Sequence, residues 1–90
     1  YFTECLHKIA IDEGFSEDVA KQISEQLIIG SGELIKVSDI DVVQLRKNVT
    51  SPNGTTEAAL KILCDNEGLL SKLREAIEKA KKRSIEIANN

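Results

Sequence analysis

Residues 16–37 read SEDVAKQISEQLIIGSGELIKV, and the way this run is parsed decides the fold. Ser16 followed by Glu17 and Asp18 is a helix start: a hydroxyl that can cap a free amide, with acids in the first turn where the helix dipole favours them. Val19, Ala20, Ile23, Leu27, Ile28, Leu34 and Ile35 then recur at helical spacing toward Val37. Gly30 and Gly32 interrupt the stripe, and each costs about 1 kcal/mol relative to alanine inside a helix. Two parses stand. Either GSG at 30–32 is a loop that splits the run, or the helix continues and the missing side chains let another helix cross close to its backbone. The second is favoured, because it gives the glycines a purpose.

Outward from this run the pattern stays helical. Tyr1, Phe2, Cys5, Leu6, Ile9 and Ala10 form one face of a first helix, stopped by Gly14. Ser38 and Asp39 offer a cap for a short helix on which Ile40, Val43 and Val49 fall at helical spacing, ending near Asn48. A helix from Thr55 or Thr56 runs to about Cys64, and DNEG at 65–68 makes a turn closed by Gly68. The last segment carries Leu69, Leu70, Leu73, Ala76, Ile77, Ala80, Ser84 and Ile87 on one stripe, with Glu75 to Lys79 and Glu78 to Lys82 as outer i,i+4 pairs. No segment alternates as a strand does. The reading is all-α, a bundle of about five helices.

Ninety residues make one domain with a thin core, and with one Tyr, two Phe and no Trp or Met that core is aliphatic. Such cores gain stability by pairing with another chain. A net charge of -3 provides no basic field to collect phosphates, so nucleic acid is not an expected partner. Cys5 and Cys64 belong to no CxxC or Cys/His cluster and read as reduced, buried thiols of an intracellular chain. No apolar run approaches the roughly 18 residues of a spanning helix, so no membrane is expected. Tyr1 opens inside an apolar helical pattern with no cap before it, which reads as an excerpt of a longer chain.

Candidates for chemistry are few. His7 is the only histidine and sits among apolar helix positions, so it reads as structural, and no triad or metal constellation exists. Lys79, Lys81, Lys82 and Arg83 alternate with Glu75, Glu78 and Glu86, as the solvated face of a helix does. The loop VTSPNGTTEAAL at 49–60 is different. Pro52, Asn53 and Gly54 suit a tight turn, but a turn does not require the threonines that follow. A turn, a glycine and two hydroxyls opening a helix have the layout of an anion site, because the first amides of a helix lack partners and its dipole attracts negative charge. Ordinary capping by Thr55 or Thr56 is the competing explanation.

LRKNVTSPNGTTEAAL at 45–60 resembles the signature of the pyrroline-5-carboxylate reductases, whose usual form is Val-Thr-Ser-Pro-Gly-Gly-Thr-Thr; seven of those eight positions agree. ECLHKIAIDEGFSEDVAKQI at 4–23 is similar to the family's helix pair, Gly30 to its glycine in the long helix, and LREAIEKAKKRSIEI at 73–87 to its closing helix. Asn53 departs from the motif, where the family has glycine.

The resemblance implies a two-part enzyme that reduces pyrroline-5-carboxylate to proline. An amino-terminal Rossmann domain would bind NADPH or NADH, and the helical part would interlock with its twin as a homodimer or a larger assembly. These residues correspond to the second part, and they contain no Gly-x-Gly-x-x-Gly. By carry-over, Gly54, Thr55 and Thr56 hold the substrate carboxylate, the Thr56 hydroxyl bonds near the ring nitrogen as the catalytic contact, and Ser51, Pro52 and Asn53 shape the turn. The reading implies a cytoplasmic enzyme. The alternative is a free-standing helical interaction module without activity, in which the loop is only a capped turn.

Overall fold

The computed structural model describes residues 1–89. Its elements are α1 (Phe2–Asp12), α2 (Glu17–Val37), α3 (Val42–Asn48), α4 (Thr55–Cys64), a 3₁₀ turn (Asp65–Glu67) and α5 (Gly68–Ala88), and no strand occurs among the described residues. The all-α reading stands. None of these helices is long and apolar enough to cross a membrane. The chain divides into two compact units, residues 1–44 and the remainder from Leu45.

In the first unit α1 and α2 form a hairpin. Gly14, at φ +100°, takes the left-handed conformation that ends α1. Its N–H donates to the Ile11 carbonyl at 3.0 Å and that of Phe15 to the Ala10 carbonyl at 3.1 Å, the paired bonds of a Schellman cap. Ser16 then opens α2, its hydroxyl accepting from the Val19 N–H at 3.3 Å. The helices meet through small residues: Ala20 is fully buried, and Ala10 and Ser24 are nearly so. Ser24 satisfies its hydroxyl by donating to the Lys21 carbonyl at 3.1 Å. His7 contributes a surface contact, with Nε2 3.0 Å from Glu17 Oε2 across the hairpin.

Helix α2 runs unbroken through Gly30 and Gly32, so the loop parse of 30–32 fails. A side chain built at either glycine would meet nothing within 4 Å. Neither glycine is required by this chain's own packing. The aliphatic core expected from composition is also barely present: Ile23, Leu27, Leu34 and Ile35 remain 42–54% exposed, and the buried apolar residues among those described are the two alanines.

The cap expected at Ser38 and Asp39 lies elsewhere. Ser38 ends α2 and accepts from the Ile40 N–H, while Asp41 Oδ1 accepts from Gln44 N–H at 2.9 Å and starts α3 at Val42. Several short polar side chains in a row could each have capped, and the one that fits is set by where α2 ends.

In the second unit α4 folds back onto α5 through the 3₁₀ turn. Asn66 and Glu67 both adopt positive φ, 49° and 56°. Gly68 packs closely on the end of α4, where a Cβ would lie 3.3 Å from the Leu63 carbonyl oxygen. Arg74 Nη1 reaches back to Glu67 Oε2 at 3.1 Å. On α5 the ion pair that closes is Arg83 with Glu86 at 3.3 Å, rather than Glu75–Lys79 or Glu78–Lys82. Leu69, Leu70, Leu73 and Ile77 stay 44–65% exposed. Cys5 and Cys64 are free, but the expectation of burial fails. Cys5 is half-buried and Cys64, the last residue of α4, is exposed because the chain turns away after it.

Candidate functional site

The loop at 49–54 is built from local bonds. Thr50 anchors its entry: the Thr50 N–H donates to the Lys47 carbonyl at 3.1 Å and its hydroxyl to the Arg46 carbonyl at 2.6 Å. Sequence reasoning passed over Thr50, although a threonine just after a helix end often bonds back to the last turn. Ser51 to Gly54 is then a tight turn closed by Gly54 N–H donating to the Ser51 carbonyl at 3.0 Å. Pro52 presets φ at the second position, and Asn53 at the third has φ 60°. This is the type II arrangement, which demands positive φ there. Asn53 therefore meets the conformational need of the family's glycine.

Gly54 is the N-cap of α4, with extended backbone and no side-chain cap. The alternative in which a threonine caps the helix is thereby removed: Thr55 and Thr56 are its first two residues. Gly54 is held by space rather than by φ, since a Cβ on it would stand 2.6 Å from Ser51 Oγ and 3.1 Å from the Ser51 carbonyl oxygen. The amides of Thr55 and Thr56 have no i−4 partner within the helix, and no loop carbonyl takes them. Thr55 is exposed and Thr56 half-buried. The arrangement gathers two N–H groups without a carbonyl partner, two hydroxyls and the positive end of a helix dipole at the start of α4, directly after a tight turn. It can hold a carboxylate or phosphate.

One further residue joins the loop. Glu57, third in α4 and half-buried, accepts the Asn53 N–H on Oε1 at 3.2 Å, and Lys61 Nζ lies 3.8 Å from the same oxygen. An acid three residues after an N-cap is the reach-back half of a capping box, a signal legible in the sequence.

The first unit offers less. A groove of about 570 Å³ runs beside α1 and α2, touching Tyr1, Cys5, His7, Glu17 and Lys21. The Tyr1 phenol is raised above its ordinary range by a hydrogen bond with the Cys5 side chain and by that group's charge. No nucleophile is paired with a base there. Among the described residues no three His, Cys, Asp or Glu side chains gather as a metal site.

Comparison with known proteins matches this architecture. Residues 1–87 fit the family model described as pyrroline-5-carboxylate reductase dimerisation. A pyrroline-5-carboxylate reductase of Staphylococcus haemolyticus is 35% identical over 83 residues, covering 92% of this chain and 30% of that protein. One from Pseudomonas aeruginosa is 37% identical over 75 residues, covering 83% and 27%. The crystal structure of Plasmodium falciparum pyrroline carboxylate reductase with NADP bound superposes with a TM-score of 0.83 at 34% identity, over 92% of this chain and 33% of that one. The chain thus spans about a third of the length of the relatives it matches. By the fit of residues 1–87 and the helical architecture that goes with it, the chain belongs to the pyrroline-5-carboxylate reductase dimerisation family.

Proposed function

We propose that this chain is the dimerisation and carboxylate-binding part of a cytoplasmic pyrroline-5-carboxylate reductase, which reduces 1-pyrroline-5-carboxylate to L-proline with NADPH or NADH. The observation that carries the site is the turn from Ser51 to Gly54 feeding the free amides of Thr55 and Thr56, in a chain whose family is shown. The substrate carboxylate sits against those amides, and the Thr56 hydroxyl bonds near the ring nitrogen. Donors fixed in advance orient the imine at little cost when the substrate arrives, and positioning of this kind can lower a barrier by several kcal/mol.

The described residues do not fit a dinucleotide. They form no parallel sheet, and their glycines do not follow the Gly-x-Gly-x-x-Gly spacing. In this reading NADPH or NADH is held by a Rossmann domain outside these ninety residues, and this chain supplies position rather than redox chemistry.

Pairing of two copies is part of the same reading. The apolar faces of α2 and α5 stand half-exposed, and Gly30 and Gly32 leave open space where a second backbone can approach. The test uses the complete protein carrying this chain. Pyrroline-5-carboxylate should drive oxidation of NADPH or NADH with formation of proline, and the ninety residues alone should drive none. A complete protein that pairs but reduces nothing would favour the free-standing interaction module.

A further inference from the structure

Asn53 and Glu57 form a contact that the carboxylate reading does not use. Asn53 carries a side chain at φ 60°, a conformation that costs a non-glycine residue of order 1 kcal/mol. Something must hold it. The Asn53 N–H finds its acceptor in Glu57 Oε1 at 3.2 Å, in the first turn of α4. The same oxygen lies 3.8 Å from Lys61 Nζ, on the next turn of the helix.

The geometry points to Glu57 as a positioning residue, whose carboxylate clamps the Asn53 amide and so fixes the turn that aims Thr55 and Thr56. This inference rests on the proposed reductase reading and assigns a residue to the same site. Glu57 does not touch the substrate in this scheme. Its negative charge in the first turn would by itself oppose an incoming carboxylate. The Asn53 amide and Lys61 draw that charge to the flank, leaving the Thr55 and Thr56 amides uncommitted.

Reach and charge can be separated. Glu57→Gln keeps an acceptor oxygen at the same reach and loses the charge, Glu57→Asp keeps the charge and loses the reach, and Glu57→Ala loses both. In the complete protein, Glu57→Ala and Glu57→Asp should raise KM for pyrroline-5-carboxylate about tenfold while kcat stays within about threefold, the size of one hydrogen bond lost from the loop. Glu57→Gln should stay near the parent. Hydrogen exchange at the Asn53 amide supplies a readout free of activity. It should accelerate about tenfold in the Ala and Asp variants and remain slow in Gln.

Unchanged exchange at Asn53 in Glu57→Asp would overturn the clamp, and that variant decides the matter if Glu57→Ala does not fold. A lower KM in Glu57→Ala would also overturn it, by making Glu57 a repulsive charge. A complete protein that reduces no pyrroline-5-carboxylate would remove the reductase reading, while the exchange measurement would still decide whether Glu57 holds the turn.

Discussion

The Gly54 amide donates to the Ser51 carbonyl at 3.0 Å, and a Cβ on Gly54 would stand 2.6 Å from Ser51 Oγ. A side chain on the donor of that bond would displace the Ser51 hydroxyl and press on the Ser51 carbonyl oxygen, 3.1 Å away. Gly54→Ala should force the turn open and destabilise the protein by about 1–3 kcal/mol, the range of a steric insertion. Adding Ser51→Ala removes the 2.6 Å contact but not the one at 3.1 Å to the carbonyl oxygen. Thermal melts of the single and double variants should therefore show partial recovery.

Asn53→Gly should be well tolerated. It relieves the cost of a side chain at φ 60° and keeps the N–H that Glu57 accepts. Melting temperature should change little, because glycine also loosens the unfolded chain. Catalytic efficiency for pyrroline-5-carboxylate should hold or rise in steady-state kinetics. A fall of tenfold would mean that the Asn53 side chain itself contacts substrate.

Gly30→Leu tests what crosses α2. In a single chain the new side chain meets nothing within 4 Å, and helix propensity should improve by about 1 kcal/mol. Against a second backbone it would overpack at about 1–3 kcal/mol, enough to weaken pairing about fivefold to a hundredfold. Sedimentation at micromolar concentration should show the parent as a dimer and the variant shifted toward monomer. A variant that remains as tightly paired places the contact away from Gly30.

What could be read in advance was what depends on near neighbours. Ser16 caps α2 because its partner, the Val19 amide, is three residues away, and Gly14 ends α1 because positive φ favours glycine. The turn at Pro52 and Asn53 was legible for the same reason. The start of α3 was not, since Ser38, Asp39 and Asp41 compete and the exit of α2 selects among them. Exposure of Cys64 and of the α2 and α5 stripes depends on what covers them, which no local pattern encodes. Pattern alone places the threonines at the start of α4 but does not decide whether one of them caps it; the cap is Gly54. Glu57 has the spacing of a capping-box acid, but its bond reaches backward past the cap to Asn53, which local pattern does not specify.

The central claim, that the start of α4 holds and orients the substrate, is tested most directly by Thr56→Ala in the complete protein, which removes the hydroxyl at the ring nitrogen and leaves the backbone amides in place. Thr56 is the second residue of α4, half-buried, and makes no cap, so its loss should cost about 1 kcal/mol of stability or less. A lost hydrogen bond to the substrate is worth roughly 1.5–3 kcal/mol, or one to two decades in kcat/KM. The measurement is kcat/KM for pyrroline-5-carboxylate beside a thermal melt of the same sample. The account predicts a fall of ten- to a hundredfold with at most a small drop in melting temperature, again at about the value of one charge-assisted bond. An unchanged kcat/KM with a clear drop in melting temperature would contradict it, and would make Thr56 a residue of the fold alone.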